Sequence, residues 1–315
     1  MTAVTNTLQT YAQIGRREDL ADIISNISPT DTPFYSMCKK VKAANTYFEW
    51  QTESLTAAGA NAQIEGDDLA SFTAAVQPTR VGNRTQILRK DLIISGTAEA
   101  SSLAGRKSEI ARQIMIRGKE LKRDIEYAFT QNTTAVTGDA TTARQTRGLE
   151  GWIATNNSLS TGATAGVAPN PATNTAPTDG TQRTFTETLL KDVLQKCYTA
   201  GGNPDTIMVG PAQKQTFSTF TGNSTRFKKA EDGELMASVD VYVSDFGTLK
   251  VIPNRFQRAR TAFVLQSDMW QVAVLRDFAV ENLAKTGDAE KRMLITEVGL
   301  RSENEAASGA VRDLS

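Results

Sequence analysis

The stretch 15–51 reads GRREDLADIISNISPTDTPFYSMCKKVKAANTYFEWQ, and its pattern indicates how the whole chain is organised. It begins as a short amphipathic helix, in which the residues on one face are Leu20, Ile23, Ile24 and Ile27. Pro29 and Pro33 follow, and a proline disfavours helix at the residue before it, so the chain stays open there. The pattern predicts an N-terminal arm that has to bury its apolar side chains on a neighbouring molecule.

Length and composition predict a folded protein without a membrane span. The chain has 315 residues, of which 39% are apolar and 22% charged, which is enough for one large or two modest domains with some polar loop. It contains no run of eighteen apolar residues, so we expect no contact with a membrane. The first ten residues, MTAVTNTLQT, lack the basic and apolar regions of a signal peptide, so we expect a cytoplasmic product.

Charge and histidine content exclude several classes of function. Lys and Arg number 35, as do Asp and Glu, so the basic excess typical of nucleic-acid-binding proteins is missing, although a local patch remains open. Histidine is absent, which excludes Ser-His and Cys-His nucleophile pairs and the commonest zinc ligand. Catalysis by carboxylates or lysine remains formally open. Cys38 and Cys197 form no CxxC pair, and we expect both to be reduced thiols.

The region 46–95 predicts a long two-stranded excursion. Tyr47 and Trp50 begin the outgoing strand, and Val81 and Ile94 mark the returning one. A two-stranded ribbon is marginally stable alone, so this feature also needs a neighbour. Between the strands, residues 65–68 read EGDD; they are either a hard-cation site or, as we favour, a solvated loop tip, because EF-hand spacing is missing.

The region 106–131 predicts one long helix of about 40 Å. Its apolar stripe consists of Ile110, Ile114, Leu121, Ile125 and Phe129. The returning strand is basic, with Arg84, Arg89 and Lys90, and the helix carries the acidic residues Glu120, Asp124 and Glu126. Two interpretations stay open: the basic strand of one subunit lies across the acidic helix residues of the next, or it is a solvated edge.

The second half predicts a loop, a compact α/β piece and terminal strands. Residues 133–184 are rich in Thr, Ala, Asn, Gly and Pro, which is typical of loop. An amphipathic helix follows and ends at Gly201-Gly202; a short buried strand and a helix beginning at Pro211 come next. From Val239 onward strands follow helices rather than alternating with them, so we predict the α+β class.

Five blocks of the first half resemble the SU10-type major head protein family, which has the HK97 capsid fold of tailed phages. The blocks are GRREDLADIISNISPTDTPFYS, TYFEWQTESL, RVGNRTQILRKDLIISGT, GRKSEIARQIMIRGKELKRDIE and RGLEGWI, and they lie between residues 15 and 153. The second half resembles that family only in its order of elements. The resemblance implies a major capsid protein that assembles into hexamers and pentamers of an icosahedral shell around double-stranded DNA.

The resemblance also implies a division of the chain. Residues 1–45 would be the N-arm, 46–95 the extended E-loop, 96–150 the first part of the P-domain with its spine helix, 151–245 the A-domain, and 246–315 the second part of the P-domain. Arm, ribbon and helix together give a set of expected intersubunit contacts: Leu20, Ile23, Ile24, Ile27, Phe34, Trp50, Arg84, Arg89, Lys90, Glu120, Asp124 and Glu126.

Expected partners and alternatives complete the prediction. We expect a virion protein assembled in the host cytoplasm, with no cofactor, no metal and no enzymatic activity. Expected partners are further copies of the chain, a separate scaffolding protein, a portal and decoration proteins, and at most non-specific contact with packaged DNA. An encapsulin-like compartment shell, a flagellin-like polymer subunit and an enzyme that uses Asp, Glu or Lys remain as alternatives.

Overall fold

The computed structural model describes residues 31–53, 55–66, 72, 74–101, 108–162, 164–220 and 241–315. The predicted arm helix, with Leu20, Ile23, Ile24 and Ile27, lies outside these residues. In chain order the elements are α1 (Pro33–Met37), β1 (Lys39–Lys42), β2 (Tyr47–Thr52), β3 (Thr79–Arg84), β4 (Gln86–Ser95), α2 (Gly96–Ala100), α3 (Glu109–Gln131), α4 (Leu149–Trp152), β5 (Asn156–Ser158), α5 (Glu187–Thr199), β6 (Thr206–Val209), α6 (Pro211–Phe217), β7 (Val241–Ser244), β8 (Gly247–Pro253), β9 (Ala262–Leu265), β10 (Trp270–Asn282), β11 (Ala289–Ser302) and β12 (Gly309–Val311).

The first layer is a four-stranded sheet with the long helix α3 packed against it. The strand order is β1-β10-β11-β4, with β1 parallel to β10 and the other pairs antiparallel. The hydroxyl of Ser108 accepts a hydrogen bond from the Ala111 amide at 3.2 Å and so caps the start of α3. The apolar stripe of α3 supplies Leu121, Ile125 and Phe129 to the core, each fully buried. The predicted long helix is therefore confirmed.

The second layer is a six-stranded sheet in the order β5-β12-β9-β6-β8-β7. All four residues of β6 and of β9 are buried, because both faces of the sheet are covered at its centre. On one face Leu190, Val193 and Leu194 of α5 pack with Val264 and Val251. On the other face Met208 and Phe263 join the core of the first layer. The α+β class is confirmed.

The division of the chain into N-arm, E-loop, P-domain and A-domain stays a prediction, and its boundaries do not coincide with sheet membership. The strands β8, β9 and β12 belong to the six-stranded sheet, so 246–315 is not one piece of the first layer. Likewise β4 pairs with β11 from Gln86 to Ser95, so the two-stranded ribbon consists of β2 and β3 alone and returns at Arg84. Hydrophobic patterning identified the strands, but their partners are set by contacts distant in sequence.

The C-terminal segment joins the two layers. Its strand β12 lies between β5 and β9, in the interior of the six-stranded sheet. Directly after it, Arg312 forms a buried ion pair with Glu150 at 2.5 Å and donates to the carbonyl oxygens of Glu150 and Ile153. Thr261 donates to the second oxygen of Glu150 at 2.7 Å. The loop around α4 is thereby fixed to the six-stranded sheet, and its Leu149 and Trp152 pack into the core of the first layer.

Candidate assembly surfaces

The ribbon of β2 and β3 is firmly attached at its base. Strand alternation turns Phe48, Trp50 and Val81 towards the body, where the Trp50 ring lies 5.5 Å from that of Trp152 and 5.8 Å from that of Phe48. Trp50 is 7% exposed. These contacts anchor the ribbon within its own subunit.

Asn83 fixes the same base by hydrogen bonds. It is fully buried, and its amide nitrogen lies 3.1 Å from the Thr146 hydroxyl, 3.1 Å from the Arg147 carbonyl and 2.6 Å from the Leu300 carbonyl. Its side-chain oxygen accepts from the Arg147 amide at 3.0 Å. One side chain therefore joins β3, β11 and the loop before α4.

Beyond this base lies the extended tip, a name used for residues 53–78, of which 53, 55–66, 72 and 74–78 are described. Four apolar side chains of the tip are exposed: Leu55 by 95%, Ile64 by 82%, Phe72 by 86% and Val76 by 62%. The whole chain contains no Lys or Arg from residue 43 to residue 79. The tip combines acidic charge with apolar groups that the described part of its own subunit leaves uncovered, which is typical of an interaction surface.

Two grooves flank the ribbon. One, of about 1050 Å³, lies between the start of the tip, the end of α5 and residues 302–306. The other, of about 550 Å³, lies between β3 and residues 170–174. Trp152, Val81 and Glu305 line both. Ribbon and body therefore touch along a narrow seam, with open space on either side.

The root of the arm is held by a buried carboxylate. Both oxygens of Glu126 accept backbone hydrogen bonds, from Phe34 at 2.9 Å and from Tyr35 at 2.7 Å, and Asn254 donates to one of them at 2.6 Å. Burial raises the pKa of Glu126, and these three hydrogen bonds oppose that shift. Phe34 packs edge-on against Phe129 at 6.3 Å and Trp270 at 6.1 Å. Helix α1 is therefore fixed to the body of the subunit at Phe34 and Tyr35.

Part of the predicted contact set has partners within its own subunit. Phe34, Trp50 and Glu126 are buried within one subunit, because α1, α3 and the ribbon base pack on each other. Lys90 pairs with Asp124 of the same subunit at 2.7 Å, since even-numbered residues of β4 face α3, and a contact of either with a neighbouring subunit stays a prediction. Glu120 pairs with Arg117 at 2.8 Å.

Two basic residues of the predicted set lie at the surface. The Arg84 guanidinium lies 4.9 Å from the centre of the Tyr47 ring, and both residues line the second of the two grooves. Arg89 is exposed between the buried Leu88 and Leu92. A contact of Arg84, Arg89 or Glu120 with a neighbouring subunit stays a prediction.

Other candidate chemistry is absent from the described residues. They hold no group of His, Cys, Asp and Glu side chains that could bind a metal ion, and the suggested Glu65–Asp68 site extends into residues outside the description. Burial raises the pKa of Cys197 to about 12 and that of Cys38 further, and both thiols are free. Of the helices described, none has the length and apolar character needed to cross a bilayer.

Asn83 and the role of Glu126 were missed by sequence reasoning. The only local signal at Asn83 is an Asn beside Gly82 within a strand, which fits a turn as well as an anchor. Glu126 differs from its acidic neighbours only in lying near the apolar stripe of α3. The distant partners of Asn83 lie 63 to 217 residues away and those of Glu126 lie 91 to 128 residues away, which sequence spacing does not reveal.

Solved structures with the same fold are phage capsid chains. The chain aligns with a chain of the Cyanophage A-1(L) capsid at a TM-score of 0.64 and 14% identity, covering 97% of this chain and 98% of that one. It aligns with a chain from Gordonia phage Cozz at 0.62 and 11% identity, covering 99% and 97%. A structure of Phage G gp27 major capsid proteins and gp26 decoration proteins gives 0.58 and 11%, with all of both chains covered. The fold is thus that of the HK97-like phage capsid subunits.

Sequence comparison gives the family. The family model described as SU10 major capsid protein matches residues 2–315, and the chain belongs to that family. It is 33% identical over 337 aligned positions to the major capsid protein of Escherichia phage Phieco32, with 96% of this chain and 95% of the relative covered. The chain is therefore a major capsid protein of a tailed phage and a structural component of the virion.

Proposed function

We propose that the chain assembles into hexamers and pentamers of an icosahedral head that encloses double-stranded DNA. The observation that carries this proposal is the extended tip, with its four exposed apolar side chains on a ribbon whose base is rigidly held. Two strands alone are marginally stable in water, so such a tip becomes stably ordered when another copy covers it. The subunit would then act through assembly rather than catalysis.

The arm supplies a second contact in this proposal. Leu20, Ile23, Ile24 and Ile27 share one face of a predicted helix that precedes the fixed point at Phe34. We expect this face to bind a neighbouring subunit, with Arg89 as a further contact. Scaffolding, portal and decoration proteins and assembly in the host cytoplasm belong to the same proposal. The matches to phage capsid proteins favour a head over a compartment shell.

The test is assembly of the purified chain, viewed by electron microscopy. The wild type is expected to form closed shells or capsomers, alone or with a co-expressed scaffolding protein. Leu55→Ser combined with Phe72→Ser is expected to remain monomeric, because it removes apolar area from the tip. The matched control, Ala57→Ser with Ala60→Ser, adds the same hydroxyl groups to the same tip and is expected to assemble.

Normal shells from the Leu55→Ser/Phe72→Ser variant would contradict the role of the tip. A wild-type chain that stays monomeric with its scaffolding protein, and does so at every concentration, would contradict the proposal as a whole.

A further inference from the structure

The acidic residues of α3 are satisfied within the subunit. Glu109 pairs with Arg112 at 3.1 Å, Glu120 with Arg117 at 2.8 Å and Asp124 with Lys90 at 2.7 Å. Glu126 is buried against α1. The helix therefore offers almost no free negative charge to a partner, in contrast to what its sequence predicts.

Five other cations on and beside α3 have no carboxylate partner among the described residues. Among the described residues, no carboxylate forms an ion pair with any member of what we call the basic strip: Lys40, Lys119, Lys122, Arg123 and Arg255. All are exposed except Arg123, which is half-buried. The strip is a local excess of five positive charges on a chain whose formal net charge is zero.

Contacts around α3 bring these residues together. Lys119, Lys122 and Arg123 lie within about 6 Å along the helix axis, outside its apolar stripe. The Arg123 guanidinium lies 5.6 Å from the Phe256 ring, and Thr130 and Gln131 donate to the Phe256 carbonyl, which places Arg255 beside the end of the helix. Lys40 lies 5.6 Å from the ring of Tyr35, whose helix α1 packs on α3.

From this arrangement we propose that the basic strip binds the phosphate backbone of double-stranded nucleic acid, so that this side of α3 forms the inner wall of the shell. This inference rests on the proposed function, because only a shell that encloses DNA gives the strip that ligand. Unpaired lysines that stay hydrated are suited to phosphates, whose contacts are long-range and independent of sequence. The exposed Tyr127 adds an aromatic group beside the strip.

The acidic tip of another copy is the competing partner. The negative charge of the tip would also complement the basic strip. The tip, however, exposes four large apolar side chains, whereas the described length of α3 offers only Met115 and Tyr127 as exposed large apolar groups to cover them. A protein contact here would have to desolvate five cations and pair each of them closely, which is costly. Phosphate contacts carry no such requirement, so the structure favours nucleic acid.

The experiment is binding of the soluble subunit to a fluorescent DNA duplex of about 20 base pairs, measured by anisotropy at several salt concentrations. Each phosphate contact contributes about 0.9 to the slope of log K against log salt. Lys122→Glu is expected to weaken binding and lower that slope by about 1, and Lys119→Glu with Lys122→Glu by about 2. The matched control is Lys250→Glu, which reverses another exposed, unpaired lysine on the second layer and is expected to leave the slope unchanged.

Electron microscopy of the same variants separates this inference from the proposed function. Shells that form normally from Lys122→Glu, with a reduced salt slope, support the inference. An unchanged slope overturns it whether or not shells form. Lost shells with an unchanged slope identify the strip as a contact between subunits. A wild-type chain that binds DNA through the strip but never forms shells would contradict the proposed function alone.

Discussion

The base and the tip of one ribbon have opposite environments. At the base, Asn83 is fully buried and joins three segments by hydrogen bonds. At the tip, Leu55 and Phe72 are 95% and 86% exposed. The difference shows that the base is part of the subunit's own stability, whereas the exposed side chains of the tip lie outside the subunit's core.

The largest effect is expected from the ion pair that holds the loop on which the base rests. Glu150→Ala leaves the buried Arg312 guanidinium without its carboxylate and should lower the free energy of unfolding by about 3–5 kcal/mol. Glu49→Ala, which removes the exposed partner of Arg80, should cost less than about 1 kcal/mol. Urea denaturation of both variants is the measurement. If both variants lost the same free energy of unfolding, the buried ion pair of the body would contribute no more to stability than the exposed ion pair of the ribbon.

The next effect is expected at the base itself. Asn83→Ala removes the side chain that satisfies the Arg147 amide and the Leu300 carbonyl, and should lower the free energy of unfolding by about 2–3 kcal/mol. Asn61→Ala makes the same substitution in the exposed tip and should change it by less than about 0.5 kcal/mol. Thermal unfolding checks both. A stable Asn83→Ala variant would show that ring stacking alone holds the base.

A pH effect is expected at the root of the arm. Since burial raises the pKa of Glu126 above its unfolded value, the folded state binds this proton more readily than the unfolded state. The free energy of unfolding should therefore fall as pH rises through the interval between the two pKa values. Glu126→Gln should lack this contribution, so the difference in melting temperature between wild type and variant should change across that interval. A difference in melting temperature that stays constant across that interval would contradict a raised pKa of Glu126 in the folded state.

The smallest effect on stability is expected at the tip. Leu55→Ser with Phe72→Ser should change the melting temperature of the monomer by no more than about 2 °C, because exposed side chains contribute little to folding. Differential scanning calorimetry is the measurement. A large loss would mean that the tip folds back on its own subunit, and would remove the contrast with the base.

The elements were predictable from local pattern, while the connections between them were not. The apolar stripe of α3, the glycines after α5 and Pro211 at the start of α6 each act within a few residues, so sequence spacing reveals them. The register of β4 with β11 and the place of β12 depend on contacts about 150 to 200 residues apart. The charges on α3 were located correctly, but the pairing of Asp124 with Lys90 of the same subunit joins two different elements, which sequence spacing does not reveal.

The interior position of β12 has a consequence for synthesis. Because Gly309–Val311 lies between β5 and β9, the six-stranded sheet stays incomplete until these residues have left the ribosome. At 5–20 residues per second, β5 waits on the order of 10 s for its partner. During that time the nascent chain carries an open sheet edge, and Arg312 is not yet available to Glu150. Completion of the six-stranded sheet therefore waits for β12, because β5 and β9 have no bridging strand before β12 is made.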